Sequence, residues 1–326
     1  MIRIAVIGAG LSGLVLARAL RDHAEVSVFE KSRGFGGRMA TRRRNDFQFD
    51  HGAQYFSAKT ESFRRYLEPW LDAGVVAHWD ARFVEFEGNR IDSRRTWSGR
   101  PAHYVGVPGM SALGGALAKS LDVKTESRVD RIAGQAGAWR LHGDEAADLG
   151  EFDWVVSSIP AGQAATLLPQ SFAHLDLVAQ RNMSGCYALM LGFDEPLPID
   201  WDAALITQAD ISWISQDGSK PGRGGNTLLV QATNPWSKAH MDLNERAVTE
   251  HMLAEIERIT GLEGGHARYS ALHRWRYANT AKQEGPRALV DPVQQLVACG
   301  DWCIHGRVEA AYLSGLDAAE QIKSLL

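Results

Sequence analysis

The sequence IRIAVIGAGLSGLVLARALRDHAEVSVFE fills residues 2–30. Its first part, Ile2–Ile7, is almost entirely apolar and predicts a short buried strand. A glycine-rich turn follows, and residues 14–21 have apolar side chains at the spacing of a helix face. A second predicted strand, Val26–Phe29, ends at Glu30. This order of strand, glycine turn, helix, strand and acid is typical of the unit that binds the ADP half of a dinucleotide.

The three glycines of the turn have separate predicted roles. Gly8 permits a tight turn, Gly10 lets the backbone approach a pyrophosphate, and Gly13 allows the helix to pack closely on the strand. The first amides of the helix, here those near Leu11 and Ser12, have no partner within the helix and attract phosphate. The positive end of the helix dipole acts in the same direction. We therefore expect all five residues at a dinucleotide pyrophosphate.

Glu30 follows Gly8 by 22 residues. A carboxylate at this spacing accepts both hydroxyls of the adenosine ribose and repels a 2′-phosphate. The alternative is a plain βαβ unit without a ligand. The flanking strand, helix, second strand and acid are all present, and their presence favours the dinucleotide unit.

The composition limits the kind of protein. A chain of 326 residues with 45% hydrophobic content can build a large core and two lobes. A net charge of −4 gives no reason to expect a nucleic-acid partner. The three cysteines have no close metal or redox spacing and favour a reducing compartment. The apolar start lacks a signal-peptide core, and no stretch could span a bilayer, so we expect a soluble, cytoplasmic protein without a membrane partner.

A second glycine cluster, KSRGFGGRMAT, fills residues 31–41 directly after the acid. Its Arg-x-x-Gly-Gly-Arg pattern resembles the large FAD-binding superfamily that includes the amine oxidases and phytoene desaturases. The resemblance implies that FAD is the cofactor and that the guanidinium of Arg38 offsets the negative charge of its pyrophosphate. The residues that it places at the cofactor are Lys31, Gly37, Arg38 and Met39. The arginines that follow, Arg42–Arg44, are expected on a solvated edge.

The segment Asp50–Ser57 reads DHGAQYFS and follows an alternating stretch, a pattern that predicts a strand entering a loop. In the resembled superfamily this loop passes beside the flavin ring, and the resemblance implies backbone contacts to the isoalloxazine from Gly52–Tyr55. The residues assigned to these contacts are Ala53, Gln54 and Tyr55. A lone histidine in such a loop is more often structural than catalytic, and we assign no chemistry to His51.

The C-terminal part returns to the cofactor. Gln295–Cys299 predicts a strand that Gly300 and Asp301 close, and a helix rich in small residues starts near Val308. By the resemblance, Asp301 bonds a ribityl hydroxyl, and the helix N-terminus points at the flavin N1–C2=O edge. The remaining residues that the resemblance places at FAD are Gly300, Val308, Ala311 and, against the adenine, Val129. Cys303 is close enough in sequence to the predicted flavin residues to suggest covalent attachment of the flavin, but we favour noncovalent FAD.

These features predict an α/β chain with a Rossmann-type FAD-binding domain. The second domain is expected to be an α+β substrate domain built on an antiparallel sheet, as in the amine oxidases. We place the FAD-binding domain at residues 1–60, 101–160 and 285–326, and the substrate domain at residues 61–100 and 161–284.

The substrate domain has several clear local patterns. The expected strands are Cys186–Phe193, Ala203–Thr207, Ile211–Ser215 and Thr227–Thr233. An amphipathic helix is expected over Leu243–Thr260, and a turn or exposed loop over Gly218–Asn226. A cluster of arginines is expected on a solvated face, with a phosphate-recognition edge as the alternative. Its members are Arg90, Arg94, Arg95 and Arg100.

Three segments carry a narrower resemblance. DHGAQYFS (50–57), VGVPGMSAL (105–113) and GDWCIHGRVEAA (300–311) resemble the bacterial renalases, a group within the flavin amine oxidase superfamily. This resemblance implies an FAD-dependent oxidoreductase whose substrates are 2- or 6-dihydro isomers of NAD(P)H. A hydride goes to flavin N5, NAD(P)+ leaves, and O2 is reduced to hydrogen peroxide. A dihydropyridine is already a hydride donor, so no general base is required and we name no catalytic residue.

The substrate pocket is predicted from side-chain chemistry on the second domain. Asn279 is a candidate hydrogen-bond partner for a carboxamide, and Trp302 beside Asp301 is a candidate to line the flavin. The aromatic candidates are Tyr187, Trp275, Tyr277 and Trp302. Any one of these aromatics, taken singly, is more often a core residue than a ligand contact. The sequence has no Ser/His/Asp set and no metal cluster that demands a role.

Other functions share these motifs. A flavin amine oxidase usually has a lysine beside the flavin, and after Ala161 the candidate lysines of the substrate domain are Lys220, Lys238 and Lys282. Only Lys282 is near the predicted strand that ends at Thr280, which weakens this alternative. A desaturase of hydrophobic substrates would need a membrane-facing apolar patch, which the sequence does not show. A noncatalytic protein with FAD as a structural element is the third alternative, and NADH-type and NADPH-type isomers both stay open.

Overall fold

A computed structural model describes residues 1–99 and 101–326 of the chain, so that Arg100 of the predicted arginine cluster lies outside the described residues. The chain divides into two compact units. The first unit contains Met1–Met39, Leu113–Met183 and Asn279–Leu326, and the second contains Ala40–Ala112 and Ser184–Ala278.

The strands and helices of the described residues are numbered in chain order. The strands are β1 Arg3–Ile7, β2 Glu25–Phe29, β3 Arg42–Arg44, β4 Phe47–Phe49, β5 Val76–His78, β6 Arg82–Glu87, β7 Arg90–Thr96, β8 Tyr104–Gly106, β9 Asp122–Lys124, β10 Val129–Gln135, β11 Ala138–Gly143, β12 Asp148–Phe152, β13 Trp154–Ser157, β14 Ser184–Phe193, β15 Ala203–Thr207, β16 Ile211–Ser215, β17 Asn226–Ala232, β18 Tyr269–Asn279, β19 Ala288–Asp291 and β20 Leu296–Cys299. The helices are α1 Leu11–Leu20, α2 Glu61–Asp72, α3 Ser111–Ala118, α4 Ala161–Leu167, α5 Leu175–Ala179, α6 Asn234–Ala239, α7 Glu245–Thr260 and α8 Val308–Lys323.

The first unit is built on a sheet with the strand order β19-β20-β13-β1-β2-β9. Strand β1 lies inside this sheet and pairs in parallel with β2 and with β13, so that Val6 lies between Val28 and Val156. Its residues from Ile4 onward are buried, as expected for a parallel strand whose two faces are both covered. A separate antiparallel sheet, β10-β11-β12, belongs to the same unit.

Helix α1 starts at Leu11, three residues earlier than the predicted helix. Gly10 is its N-cap, with φ −72° and ψ 172°, so the helix begins inside the glycine-rich turn. Helix α8 packs against α1 through small residues, and a Cβ atom at Gly315 would collide with the carbonyl oxygen of Ser12. The small residues of the C-terminal helix therefore have a packing role.

The second unit contains a larger sheet with the order β18-β14-β17-β16-β15-β6-β7. The predicted strands of the substrate domain are present, and neighbouring pairs such as β14 with β17 and β16 with β17 are antiparallel, as predicted. The pair of β15 with β6 is parallel, which differs from a purely antiparallel sheet. Strand β6 comes from a much earlier part of the chain, and no short hairpin connection constrains its direction.

The two compact units differ from the predicted domain boundaries. Residues 40–60 and 101–112 belong to the second unit, although the sequence places them in the FAD-binding domain. Their contacts explain the difference, since the backbone N–H of Asp50 donates to Asp217 and that of Met110 donates to Asp50. No helix of the described residues is both long and apolar enough to cross a lipid bilayer.

The segment Gly218–Asn226 is a turn with several exposed residues, as predicted, but the charged side chains of Lys220 and Arg223 are buried, which the sequence did not indicate. The side chains of Asp50, Lys220 and Arg223 are fully buried, as is that of Asp217. The ammonium of Lys220 lies 2.6 Å from Asp217 Oδ1 and 3.4 Å from Asp50 Oδ2, and the guanidinium of Arg223 lies 2.6 Å from Asp50 Oδ2. The two cations of this loop are buried because each has a carboxylate partner within the unit. We call these four residues the buried charge cluster.

The two carboxyl groups of the buried charge cluster respond differently to their surroundings. Burial acts to raise the pKa of Asp50, but the attraction of Lys220 and Arg223 outweighs it and leaves this pKa below its usual value. Burial raises the pKa of Asp217, against the attraction of Lys220 and in the same direction as the repulsion from Asp50. Lys220 is therefore the cation on which both carboxylates depend.

We expect Lys220→Met to lower the free energy of unfolding by about 3–5 kcal/mol, because the substitution leaves buried carboxylates without their cation. Chemical denaturation followed by circular dichroism measures the change. Lys238→Met is the matched control at an exposed position of the same unit, and its effect is expected to stay within about 0.5 kcal/mol. Equal, small effects of the two substitutions would contradict the role of the cluster.

Candidate functional site

The glycine turn of the first unit has open space where the sequence predicts a pyrophosphate. A Cβ atom at Gly13 would collide with the carbonyl oxygen of Gly8, so Gly13 is needed for close packing. A Cβ atom at Gly10 would meet no protein atom within 4 Å, and the φ of −72° at Gly10 is accessible to any residue. Neither packing nor backbone conformation requires a glycine at position 10. The space in front of it fits a bound group that approaches the backbone.

Glu30 lies at the end of β2 and is buried. Its Oε2 accepts a hydrogen bond from the backbone N–H of Ala9 at 2.9 Å, and its Oε1 accepts one from the N–H of Ser32 at 2.8 Å. Each carboxylate oxygen has a further lone pair, so that these bonds orient the carboxylate and leave acceptor sites for hydroxyl groups.

Arg38 and Asp301, predicted separately as cofactor residues, form a bidentate ion pair. Arg38 Nη1 donates to Asp301 Oδ2 at 2.8 Å, and Nη2 donates to Oδ1. The two residues are 263 positions apart in the chain. Asp301 is buried, while the Arg38 side chain is 28% exposed. The ion pair brings the N-terminal and C-terminal cofactor motifs together.

The residues around Asp301 are closely packed. A Cβ atom at Gly300 would lie 2.6 Å from Nε1 of Trp302, which explains the glycine. Helix α8 begins at Val308, as predicted, and Ala311 lies in its first turn. Met39 is buried, and Gly37 approaches Gly10 so closely that a Cβ atom on Gly37 would lie 3.3 Å from the Cα of Gly10.

An open hollow of about 540 Å³ lies next to the end of β2 in the first unit. Its lining is polar and includes Lys31, one of the predicted cofactor residues. The other lining residues are Ser32, Arg33, Glu126, Arg128 and Asp144. Val129 starts β10 one residue after Arg128 and is buried. The hollow has room for a polar ligand group beside Glu30.

All three cysteines are buried and free. Burial raises the pKa of Cys186 and of Cys299 to about 12, and it also raises the pKa of Cys303. The Sγ of Cys299 accepts a hydrogen bond from Ser12 Oγ at 3.3 Å, so that Ser12 is linked to the end of β20. Protonated, buried thiols are poor nucleophiles.

In the second unit, side-chain hydrogen bonds hold the loop that follows β4. Gln54, one of the predicted loop residues, is buried, and its Nε2 donates to the carbonyl oxygen of Asp50. Its Oε1 accepts from Ser215 Oγ at 2.9 Å and from Lys220 Nζ at 3.3 Å. Gln231 donates to the carbonyl oxygen of Gly52 at 2.8 Å. These bonds fix Gly52–Tyr55 against the sheet and the buried charge cluster, and Ala53 is half-buried between them.

Sequence reasoning missed an aromatic cluster at the end of this loop. The ring of Tyr55 lies 4.7 Å from that of Trp97, 5.1 Å from that of His103 and 5.6 Å from that of Trp213. Trp97 and His103 stack with 3.8 Å between their centroids. Burial, together with the nearby charge of Arg95, lowers the pKa of His103. Because these rings come from separate parts of the chain, no local pattern predicts the cluster.

A second group of rings surrounds His51. The indole of Trp275 stacks on His51 with 5.4 Å between centroids, and its Nε1 donates to the carbonyl oxygen of His51 at 2.7 Å. The ring of His273 lies 4.8 Å from His51. Arg42, expected on a solvated edge, is half-buried, and its Nη2 lies 3.5 Å from His273 Nδ1. We call Arg42, His51, His273 and Trp275 the Arg–His–Trp cluster.

The imidazoles of the Arg–His–Trp cluster are neutral at neutral pH. Burial, the neighbouring His273 and Arg42 lower the pKa of His51 to about 3. Burial and Arg42 lower the pKa of His273 to about 4. Nδ1 of His51 is buried without a hydrogen-bond partner in the described residues.

The predicted substrate residues have different environments. Tyr187 is fully buried, and its hydroxyl donates to the carbonyl oxygens of His240 and Met241, which argues against a ligand contact. Trp302 is also a core residue, because only 1% of it is exposed and its Nε1 donates to the carbonyl oxygen of Ile159 at 3.0 Å. Both aromatic side chains are therefore core residues whose polar atoms have hydrogen-bond partners within the protein.

The three other predicted substrate residues, Trp275, Tyr277 and Asn279, lie on β18. Tyr277 is half-buried. The Oδ1 of Asn279 accepts a hydrogen bond from the N–H of Thr280 at 2.9 Å, which leaves its amide nitrogen as the available donor.

Two family patterns match the chain. The NAD(P)-binding Rossmann-like domain matches residues 6–70. The pattern described as flavin containing amine oxidoreductase matches residues 80–323.

The chain is also similar to individual proteins. It is 23% identical to renalase from Mus musculus over 99% of both chains. It is 26% identical to coproporphyrinogen III oxidase from Mycobacterium tuberculosis, over 65% of this chain and 54% of that protein.

Solved structures share the fold. A protein described as a protoporphyrinogen oxidase from Exiguobacterium sp. 255-15 has a TM-score of 0.78 at 14% identity, and the match covers 100% of this chain and 99% of that chain. Cyclohexylamine oxidase from Brevibacterium oxydans IH-35A has a TM-score of 0.75 at 15% identity, over 99% of both chains. Because the amine oxidoreductase pattern spans most of the sequence, the chain belongs to the flavin containing amine oxidoreductase family, is similar to renalase from end to end, and uses FAD as its cofactor.

Proposed function

We propose that the chain is an FAD-dependent oxidase that takes a hydride from 2- or 6-dihydro isomers of NAD(P)H and releases NAD(P)+. When bound, noncovalent FAD would supply the hydride acceptor, at N5. O2 would be the final acceptor of the two electrons and would be reduced to H2O2. The observation that carries this proposal is the similarity to renalase over 99% of both chains. The DHGAQYFS and GDWCIHGRVEAA segments, which resemble bacterial renalases, support it.

In the first unit, the proposed cofactor residues divide by the group that they hold. The diphosphate is assigned to the turn around Gly10, where the space before the backbone is open, and to the positive charge of Arg38. The adenosine ribose is assigned to Glu30, with the hollow beside Lys31 as room for the adenine end. Asp301 is assigned to the ribityl chain.

In the second unit, the chain is proposed to orient the reacting ring and to exclude water from it. Gln54 and its partners hold the Ala53–Tyr55 loop in a fixed position, and Tyr55 joins that loop to the aromatic cluster. Flat aromatic walls suit a planar pyridine ring. A dihydropyridine needs no proton removed at carbon, which agrees with the low pKa values of about 3 for His51 and about 4 for His273, since such imidazoles are weak bases. Trp275, Tyr277 and Asn279 stay proposed substrate contacts.

A flavin amine oxidase is the second candidate, and Lys220 favours it. From the sequence, only Lys282 lies near the predicted strand that ends at Thr280, whereas in the structure the ammonium of Lys220 is buried 3.3 Å from Gln54 of the loop assigned to the flavin. The same ammonium lies 2.6 Å from Asp217 Oδ1. The ion pair with Asp217 gives this ammonium a structural role, and this reduces the support that Lys220 gives to amine chemistry.

The first experiment is anaerobic mixing of the yellow holoprotein with NADH enriched in the 2- or 6-dihydro isomer, followed by flavin absorbance. Rapid bleaching, with colour restored by air and one H2O2 formed per substrate, is the expected result. Putrescine and benzylamine are the matched comparison substrates. Bleaching by an amine alone would replace the proposal with amine oxidation, and no bleaching by any of them would support a noncatalytic role for FAD.

The pH dependence of bleaching separates the two chemistries. Because the pKa values of His51 and His273 lie at about 3 and about 4, both imidazoles keep one protonation state between pH 6 and 8. The bleaching rate constant with a dihydropyridine is therefore expected to change less than about twofold over this range. An amine must lose a proton before oxidation, so its rate constant would rise with pH, by about tenfold per unit. Stopped-flow absorbance measures both.

The open space at Gly10 gives a test of the cofactor assignment. We expect Gly10→Ala to weaken FAD binding by about tenfold or more, because the new methyl group occupies the diphosphate space. The same change is expected to leave the FAD-free protein as stable or about 0.4–1 kcal/mol more stable. Gly115→Ala is the control, since a Cβ atom there also meets no protein atom within 4 Å. Unchanged FAD content in Gly10→Ala protein would contradict the assignment.

A further inference from the structure

The guanidinium of Arg42 is half-buried without a carboxylate partner. In the described part of the chain, no Asp or Glu oxygen lies within 4.0 Å of it. Arg95 of the same unit, although it is exposed, has such a partner in Glu85 at 2.8 Å. Its Nη2 lies 3.5 Å from Nδ1 of His273. A half-buried cation that lacks a counter-charge is costly unless a ligand supplies one.

The neighbours of Arg42 add hydrogen-bond donors but no negative charge. His273 is neutral at neutral pH, and when its Nδ1 accepts a hydrogen bond from Arg42 its proton lies on Nε2. Nε2 is then a second donor beside the guanidinium. His51 is also neutral and carries a buried Nδ1 without a partner in the described residues.

Trp275 forms one side of the Arg–His–Trp cluster. Its ring lies 4.3 Å from that of His273, edge to face, and stacks on His51. Its indole N–H is already bonded to the backbone of His51 at 2.7 Å, which fixes the orientation of the ring. The residue is only half-buried, so part of the indole remains open to a ligand. A fixed aromatic ring next to an uncompensated guanidinium and a neutral imidazole suits a phosphate ester that carries a flat base.

We propose that Arg42, His273 and Trp275 form the subsite on the second unit that binds the diphosphate of the dinucleotide substrate. This inference rests on the proposed function for the identity of the ligand. Arg42 supplies the charge and the bidentate donors that phosphate oxygens prefer, and His273 supplies one further donor. The subsite recognises the part of the substrate that does not react, and so it affects binding and not the chemical step.

The test compares Arg42→Gln with Arg43→Gln, the exposed neighbour on the same strand. Calorimetric titration of the oxidised holoenzyme uses two ligands, NAD+ and nicotinamide riboside, which share the ring but differ in the diphosphate. We expect Arg42→Gln to weaken NAD+ binding by about tenfold or more and to leave the riboside affinity unchanged. Arg43→Gln is expected to change neither by more than about twofold. The salt dependence of NAD+ affinity is expected to become shallower in Arg42→Gln only.

The outcomes separate this subsite from the proposed reaction. Equal losses of NAD+ and riboside affinity in Arg42→Gln would mean that Arg42 shapes the pocket, and equal losses in both variants would mean a general surface charge. Either result overturns the subsite, as does a wild-type holoenzyme that fails to bind NAD+ at millimolar concentration. NAD+ binding that depends on Arg42, in a protein that no dihydropyridine bleaches, would keep the subsite and reject the reaction. Thermal unfolding and FAD content establish that each variant is folded.

Discussion

The second unit depends on the ion pairs and hydrogen bonds of one buried carboxylate, that of Asp50. Its Oδ1 accepts hydrogen bonds from Thr41 at 2.6 Å and from the N–H of Met110 at 2.9 Å, while its Oδ2 faces Lys220 and Arg223. One carboxylate therefore ties together the start of the unit, the start of α3 and the loop after β16. An unpaired charge at this depth would be very costly, so all of these segments must be in place together. The loop that begins at His51 takes its position from this anchor.

The parts of the fold that could be predicted from sequence have their chemistry at a fixed local spacing. The glycine turn, Glu30, and the Gly300–Asp301 strand end all belong to this kind, and the structure adds the contact between Arg38 and Asp301. The burial of Lys220 could not be predicted, because Asp50 lies 170 positions away in the chain. Tyr187 was misassigned for a related reason. An alternating strand indicates which residues share a face but not whether that face meets a core or a ligand.

The family fold does not select the substrate. Proteins named for porphyrinogen and amine chemistry share this fold at 14–15% identity, so the residues of the glycine turn say little about what is oxidised. The residues that distinguish one substrate from another must be sought among the side chains of the second unit. There the chain offers stacked rings, neutral imidazoles and the half-buried guanidinium of Arg42, which has no carboxylate partner among the described residues. This combination suits a flat, anionic molecule better than a flexible cationic amine, since a free guanidinium repels a protonated amine.

The burial of the three cysteines also affects the lifetime of the protein. Under the proposed reaction every turnover releases peroxide a short distance from the polypeptide. Peroxide attacks the thiolate form of cysteine and gives a sulfenic acid first. Further oxidation to sulfinic and sulfonic acids is irreversible. Cys186, Cys299 and Cys303 are inaccessible, and burial raises the pKa of each so that the thiolate is scarce. If the proposed reaction is correct, burial therefore protects these three cysteines from the peroxide that the reaction releases.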